Sequence, residues 1–394
     1  MAAKNALCPH AEMDAKTAAA GGRDPVVGDK GCYIGAQCRG APSRGSDMME
    51  KAAAGLRGRE WGSPMSNEKF SQKMGDRLLD PANNRIWKGA LWLIVILLLV
   101  DVLLGWYWSW EPDLQEVRAL ANAQPGEVTT LEVINVASTL LDKPGGYLSN
   151  DVLPHRLWLD NMPSWEFGVL VQLRDMVRVM RRDMSRSQSQ SQEDRNLAIA
   201  EPQFNFDSRS WAMPATESEY RRGIRALERY LESLRSGDGR FYARADNLNS
   251  WLNEVQNRLG ALSQDLSRSV GRTTLDTEEN TPVTQLDSKE RVVKTPWMKI
   301  DNVFYEARGA SWALVQLMRA LEVDFADVLR KKNATVSFRQ MVRELEATQE
   351  TLWSPMVLNG SGFGIFANHS LVMANYLSRA NASLIDLRKL LQEG

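Results

Sequence analysis

The chain has few cysteines and histidines, and their positions limit its chemistry. Three of its 394 residues are cysteine and three are histidine. Cys8, Cys32 and Cys38 all lie near the N-terminus, so the rest of the chain must be held together without disulfides. His155 and His369 are isolated from other potential ligands, so the later part of the chain has too few candidate ligands for a zinc site. The sequence therefore predicts no metal and no cofactor.

An excess of charge of one sign is also missing. Lys and Arg number 48 against 49 Asp and Glu, giving a formal net charge of −1. A nucleic-acid-binding protein usually carries a strongly basic face, so this balance argues against a nucleic acid as partner. The sequence also lacks a G-x-S-x-G nucleophile elbow, an H-E-x-x-H helix and a complete phosphate-binding loop. No catalytic residue is predicted, and an enzyme is the less favoured interpretation.

One long hydrophobic run stands out from the rest of the chain. Residues 89–108 read GALWLIVILLLVDVLLGWYW. A helix needs about 20 apolar residues to cross the hydrocarbon core of a bilayer. We therefore predict one transmembrane helix over residues 88–110. Asp101 inside it is interpreted as neutral or reaching toward the interface, with a helix partner or a proton path as the alternative.

The flanks of this run predict its orientation. Basic residues accumulate before it and acidic residues after it, which places the N-terminus in the cytoplasm and residues 111–394 in the periplasm. Lys88, Trp92, Trp106 and Trp108 are the predicted membrane-interface residues. A signal peptide is the rival interpretation, but the run starts far from the N-terminus and no small-residue cleavage site follows it.

The residues before the run differ in composition from the remainder. Residues 1–64 are rich in Gly, Ala and Arg and show no apolar periodicity, which predicts a disordered leader. Met65 opens a more ordinary cytoplasmic lead over residues 65–87. The alternative interpretation is that translation starts at Met65 and that the leader is an artefact of gene annotation.

After the run, apolar residues recur almost throughout with helical spacing, and no alternating β pattern persists. The sequence predicts an all-α fold, a single N-terminal transmembrane helix followed by a helical bundle. Ser164 is predicted to cap one helix, and Thr216 with Glu219 to form a capping box at the start of another. Residues 273–296 are predicted to be a polar linker. The other predicted helices cover residues 128–141, 241–270, 303–330, 335–353 and 368–391.

Three sequence matches in the same order suggest an internal repeat. LVQL at residues 170–173 recurs at 314–317, residues 220–234 align without gaps on 338–352, and GDGRF at 237–241 matches GFGIF at 362–366. We predict two three-helix units, about 164–270 and 298–392, related by a pseudo-twofold axis. The alternative is that amphipathic helices rich in Leu, Arg and Glu resemble one another by composition alone.

One segment combines aromatic and acidic residues in a way that suggests a ligand site. Trp158, Asp160, Trp165 and Glu166 surround a predicted turn. Such an aromatic and acidic set can bind sugars, and these four residues are the candidates for a ligand groove. Helix capping and core packing explain the same residues equally well.

Several strings resemble an uncharacterised bacterial family, the domain of unknown function 2333 (DUF2333). They include LLDKPGGYLSND, WLDNMPSWEFGVLVQLRDMVR, SRSQSQSQED, AEPQFNFD and FYARADNLNSWL, and the resemblance covers roughly residues 87–391. It implies a bacterial envelope protein with one N-terminal anchor. It assigns no activity and no site residues. The leader before Met65 departs from the family pattern, which favours the later start.

Two classes of function follow from these features. The first is a structural or interaction module, whose periplasmic helices bind an envelope protein or a second copy of the chain. The second is a periplasmic protein that binds or hydrolyses envelope polymer in a groove between the two helical repeats.

Overall fold

The computed structural model describes residues 81–117, 123–151, 160–187, 192–275, 290–354, 356–361 and 364–393. The predicted leader over residues 1–64 and most of the predicted cytoplasmic lead fall outside the described residues. Within them most residues are helical, which confirms the predicted all-α fold. The helices are α1 Pro81–Trp108, α2 Glu127–Asp142, α3 Asn161–Val179, α4 Arg195–Phe204, α5 Thr216–Ser236, α6 Ala245–Ser267, α7 Ile300–Asp324, α8 Ala326–Lys331, α9 Thr335–Ala347 and α10 His369–Glu393.

The apolar run lies within α1, which begins at a proline. Proline suits the first helical position because its missing N–H has no intrahelical partner there. The segment Trp87–Trp108 is 22 residues long and apolar enough to cross a membrane, and only 6% of its most apolar window is buried. A core helix of a soluble protein would instead be mostly buried. Among the described residues there is therefore one exposed apolar helix of this length, as the sequence predicts.

Helices α3 and α7 cross at the centre of the bundle, and two glycines allow their close approach. A Cβ atom on Gly168 would lie 2.1 Å from the carbonyl oxygen of Glu306, and one on Gly309 would lie 2.0 Å from that of Trp165. The indoles of Trp165 and Trp312 pack beside this crossing, with ring centroids 5.3 Å apart. The backbones meet so closely only because both positions lack a side chain.

The other helices pack around this central pair. Helix α2 contacts α3, α5 and α7, while α4 packs on α5. Helices α6 and α10 pair along their length, and α9 packs against both α7 and α10. Their buried faces form one continuous hydrophobic core.

Two predicted helix starts are wrong in detail. Helix α3 begins at Asn161, and the Ser164 hydroxyl donates to the Asp160 carbonyl 3.1 Å away instead of capping the helix. Helix α5 does begin at Thr216, but the hydroxyl of Thr216 donates to the carbonyls of Asp207 and Ser210. Ser164 therefore lies inside the first turn of α3, and Thr216 is already the first residue of α5, so neither hydroxyl occupies the capping position.

Two further elements depart from the sequence prediction. Helix α4 lies outside the helices predicted from the sequence, and Asp194 caps it by accepting from the backbone N–H groups of Asn196 and Leu197. The two ends of the predicted linker pair as short antiparallel strands, β1 Arg272–Leu275 and β2 Glu290–Val293. Adjacent Thr residues in the first strand and adjacent Val residues in the second favour this pairing.

The two-repeat arrangement stays a prediction. The pairs α3 with α7 and α6 with α10 are those that a pseudo-twofold axis would relate. The middle helices differ, because α9 packs on α7 and α10 whereas α5 packs on α2 and α4.

Candidate functional site

Glu166, one of the four predicted groove residues, is buried in the core. Its side chain and that of Lys143 are both fully inaccessible, and their charged atoms lie 2.6 Å apart. Glu166 also accepts hydrogen bonds from the backbone N–H groups of Leu148 and Ser149, each at 2.8 Å. The carboxylate therefore fixes the loop after α2 and does not face a groove.

Trp165 is also buried, and Trp158 lies outside the described residues. The Trp165 ring packs on Trp312, and its backbone contacts Gly309 at the α3–α7 crossing. Its indole N–H has no hydrogen-bond partner among the described residues. Of the four predicted residues, Asp160 is therefore the one that the described structure places at an open cavity.

That cavity, which we call the α3–α7 cavity, has a volume of about 400 Å³. The beginning of α3 forms one wall, the beginning of α7 forms another, and short loop segments complete it. Its lining residues are Ser149, Asp160, Pro163, Ser164, Phe167, Ser208, Arg209, Asn302 and Glu306.

The two carboxyl groups of the cavity have raised pKa values. Partial burial raises the pKa of Asp160, and the nearby charge of Asp301 adds to the effect. Burial likewise raises the pKa of Glu306, with a contribution from Asp265. A carboxyl group with a raised pKa keeps its proton to higher pH and can then donate a hydrogen bond. Such pKa shifts cluster at functional sites but also occur in structural clusters of charge.

The other polar groups give the cavity both donors and acceptors. The Arg209 guanidinium can donate several hydrogen bonds. The amide oxygen of Asn302 is buried without a partner among the described residues. These donors and acceptors best fit a polar ligand that carries hydroxyl or amide groups. Sequence reasoning missed Arg209, Asn302 and Glu306, since each lies in a separate segment and only the fold brings them to Asp160.

Three of the four predicted membrane-interface residues are exposed on α1. Lys88, Trp92 and Trp106 are largely exposed, and the Trp106 ring meets that of Trp110 edge to face with centroids 5.4 Å apart. Trp108 is half-buried and packs against the core, beside Gly145 in the loop after α2. Trp108 thus belongs to the junction between α1 and the helical domain.

Arg308 holds this junction together. Its buried guanidinium pairs with Glu111 at 2.6 Å, three residues after the end of α1. It also donates to the carbonyls of Thr348 at 3.1 Å and Glu350 at 2.8 Å, just after α9. The planar guanidinium can make these contacts at once because its donors are fixed in a fork. The exit of α1, the middle of α7 and the end of α9 are therefore fixed to one another.

The chain matches a family model over residues 81–394. The matched residues begin with α1 and include the whole helical domain. The chain belongs to DUF2333. This family is described as "Uncharacterized protein conserved in bacteria". No curated protein and no solved structure was found to match the chain. The DUF2333 match therefore covers both the Arg308 junction and the α3–α7 cavity.

The raised pKa of Glu306 gives this DUF2333 protein a testable pH dependence. A carboxyl group with a raised folded-state pKa holds its proton more tightly in the folded protein. Its ionisation therefore lowers stability as the pH rises above its ordinary pKa of 4.5. Glu306→Gln cannot ionise, so we expect a higher free energy of unfolding near neutral pH and a weaker decline with rising pH.

The measurement is urea unfolding of the full chain in detergent micelles between about pH 4 and pH 8. Glu232→Gln, which changes an exposed carboxylate on α5, is the matched control. If the stability curves of Glu306→Gln and the unmodified chain stay parallel over this range, the burial of Glu306 does not affect its ionisation.

Proposed function

We propose that this protein is a single-pass protein of the bacterial inner membrane, with its N-terminus in the cytoplasm and its helical domain in the periplasm. In this proposal the helical domain is a structural or interaction module that binds an envelope protein or a second copy of the chain. The observation that carries the proposal is the exposed 22-residue apolar segment of α1, which is joined to the helical domain through Arg308 and Glu111.

The junction favours an anchor over a signal sequence that is cleaved off. Trp108 packs against the core, and the Trp312 indole N–H donates to the Asp113 carbonyl 3.3 Å away. Cleavage immediately after α1 would remove or loosen these contacts. The basic residues before the apolar run support the cytoplasmic location of the N-terminus.

The internal charges of the domain support a structural role. Glu166 and Lys143 fix one loop, Arg308 fixes the junction, and Asp175 of α3 accepts from Arg258 of α6 at 2.8 Å. Each of these groups is occupied by a partner in the chain. Within the described residues, no group of three or more His, Cys, Asp or Glu side chains is arranged to hold a metal ion.

Labelling with a membrane-impermeant maleimide tests the orientation. Ser71→Cys and Glu232→Cys are introduced separately into a chain whose three native cysteines are changed to serine. In cells with a permeabilised outer membrane, we expect labelling at residue 232 and none at residue 71 until the inner membrane is lysed. Labelling at residue 71 alone would indicate the opposite orientation. Release of the residue 232 variant into the soluble fraction would indicate a cleaved signal sequence.

The second candidate is a periplasmic protein that binds or hydrolyses envelope polymer, and the α3–α7 cavity favours it. Cosedimentation of the full chain with purified cell-wall sacculi is the test. If the cavity binds polymer, Asp160→Asn combined with Glu306→Gln reduces cosedimentation, while Glu232→Gln leaves it unchanged. Crosslinking from residue 232 in membranes separates the two candidates, since recovery of glycan without protein would overturn the interaction module.

A further inference from the structure

Large apolar side chains are exposed at one end of the helical bundle. Trp353 is 93% exposed and Ile365 is completely exposed. Soluble proteins rarely expose several such side chains together unless the surface binds something. We call these residues the apolar end surface: Trp297, Met298, Trp353, Met356, Ile365 and Phe366.

The segment that carries Trp353 lies directly beside the outer end of α1. Thr351 and Leu352 line one cavity together with Ser109 and Trp110, which follow α1. The Arg308 guanidinium binds the Glu350 carbonyl and the Glu111 carboxylate at the same time. Trp353 is therefore held next to the position at which the chain would leave a bilayer.

The other members of the surface lie at the same end of the bundle. Trp353 and His369 line a second cavity, and the Leu358 N–H donates to His369 Nδ1 at 3.0 Å. The Gly360 N–H donates to the Ala367 carbonyl at 3.1 Å, which holds Ile365 and Phe366, the two residues before Ala367, at this end of the bundle.

Trp297 and Met298 are linked to Asn359, which precedes Gly360, through the end of α6. The Asn359 amide donates to the Ser269 carbonyl at 2.9 Å, and the Thr295 N–H donates to the Arg268 carbonyl at 3.0 Å. Lys294 and Lys299 flank the two apolar residues and are exposed. Exposed ammonium groups beside apolar side chains match the phosphates and acyl chains of a phospholipid surface.

We infer that the apolar end surface inserts into the outer interface of the bilayer that α1 spans. This inference rests on the proposed membrane anchor and adds a second contact with the same membrane. Tryptophan suits this depth because its ring is apolar and its N–H needs a polar partner. The two contacts together would fix the tilt of the domain relative to the membrane, whereas a single helix could tilt in the bilayer together with the domain that is joined to it.

Site-specific quenching by lipids tests the inference. An environment-sensitive fluorophore is attached to single cysteines in the cysteine-free chain, in nanodiscs of phosphatidylethanolamine and phosphatidylglycerol that hold one chain each. The probe positions are Trp353→Cys and Ile365→Cys, both so exposed that the substitutions leave the fold intact. We expect blue-shifted emission at both positions and strong loss of fluorescence with lipids that carry a nitroxide near the headgroup.

Two further positions make the outcome unambiguous. Leu97→Cys in α1 reports on the anchor itself, and we expect quenching there by nitroxides deep in the acyl chains. Val336→Cys is the matched control, since Val336 is an exposed apolar residue at the other end of α9, roughly 18 Å from the Arg308 junction. We expect no quenching at residue 336.

The possible results separate the inference from the proposed function. Quenching at 97 without quenching at 353 and 365 would overturn the second membrane contact and leave the anchor in place. Absence of quenching at 97 would overturn the anchor. Quenching at 353 and 365 that is matched at 336 would show nonspecific adsorption of the domain and would also overturn the inference.

Discussion

Replacing Lys143 by methionine is expected to lower the free energy of unfolding by about 3–5 kcal/mol, the usual cost of removing one partner from a buried ion pair. The Lys143 and Glu166 side chains are both fully inaccessible. Methionine fills a similar volume but leaves the Glu166 carboxylate without its cation. The hydrogen bonds from the Leu148 and Ser149 N–H groups compensate for only part of that charge.

The measurement is urea unfolding of the full chain in detergent micelles, followed by tryptophan fluorescence. Adding Glu166→Gln to Lys143→Met removes the uncompensated charge, so we expect the double variant to recover part of the loss. Arg330→Met is the matched control, because Arg330 and its partner Asp327 are both largely exposed. Exposed pairs contribute about 0–1 kcal/mol. Equal losses for Lys143→Met and Arg330→Met would contradict the structural role of the buried pair.

The same ion pair shows where prediction from sequence ends. Glu166 was a reasonable groove candidate, because an acid beside a tryptophan in a turn is typical of a sugar site. Its partner Lys143 lies 23 positions earlier, in a KPGG segment that by itself predicts only the end of a helix. No spacing rule connects the two residues. Their contact depends on how α2 and α3 pack, and local sequence patterns do not predict that packing.

The fold was easier to predict than the site, since helical periodicity is local. The apolar spacing predicted α2 within one residue at each end. It was wrong at the ends of two later helices, because the predicted helices 303–330 and 335–353 each run six residues past the observed ends of α7 at Asp324 and α9 at Ala347. The prediction at Ser164 failed because α3 begins three residues earlier, and the prediction at Thr216 failed because Ala215 occupies the capping position of α5. The candidate cavity could not be predicted, because it combines Asp160 with Glu306 from a helix that begins 140 residues later.

The glycine pair at the α3–α7 crossing gives the second large prediction. Gly309→Ala is expected to lower the free energy of unfolding by about 2–3 kcal/mol, in the upper part of the range for overpacked cores. The new Cβ would lie 2.0 Å from the carbonyl oxygen of Trp165. A backbone atom cannot rotate away as a side chain can, so the two helices must separate. That loss outweighs the gain in helix propensity, about 1 kcal/mol for glycine to alanine.

Gly260→Ala in α6 is the matched control for this substitution. Gly260 is also inside a helix, but a Cβ there would meet no atom within 4 Å. Only the higher helix propensity of alanine then affects the stability, so we expect the free energy of unfolding to rise by about 0.5–1 kcal/mol. The two alanine variants should therefore change the urea midpoint in opposite directions. If both variants stabilise the protein, α3 and α7 do not meet at Gly309, and the walls of the α3–α7 cavity are not held together at this point.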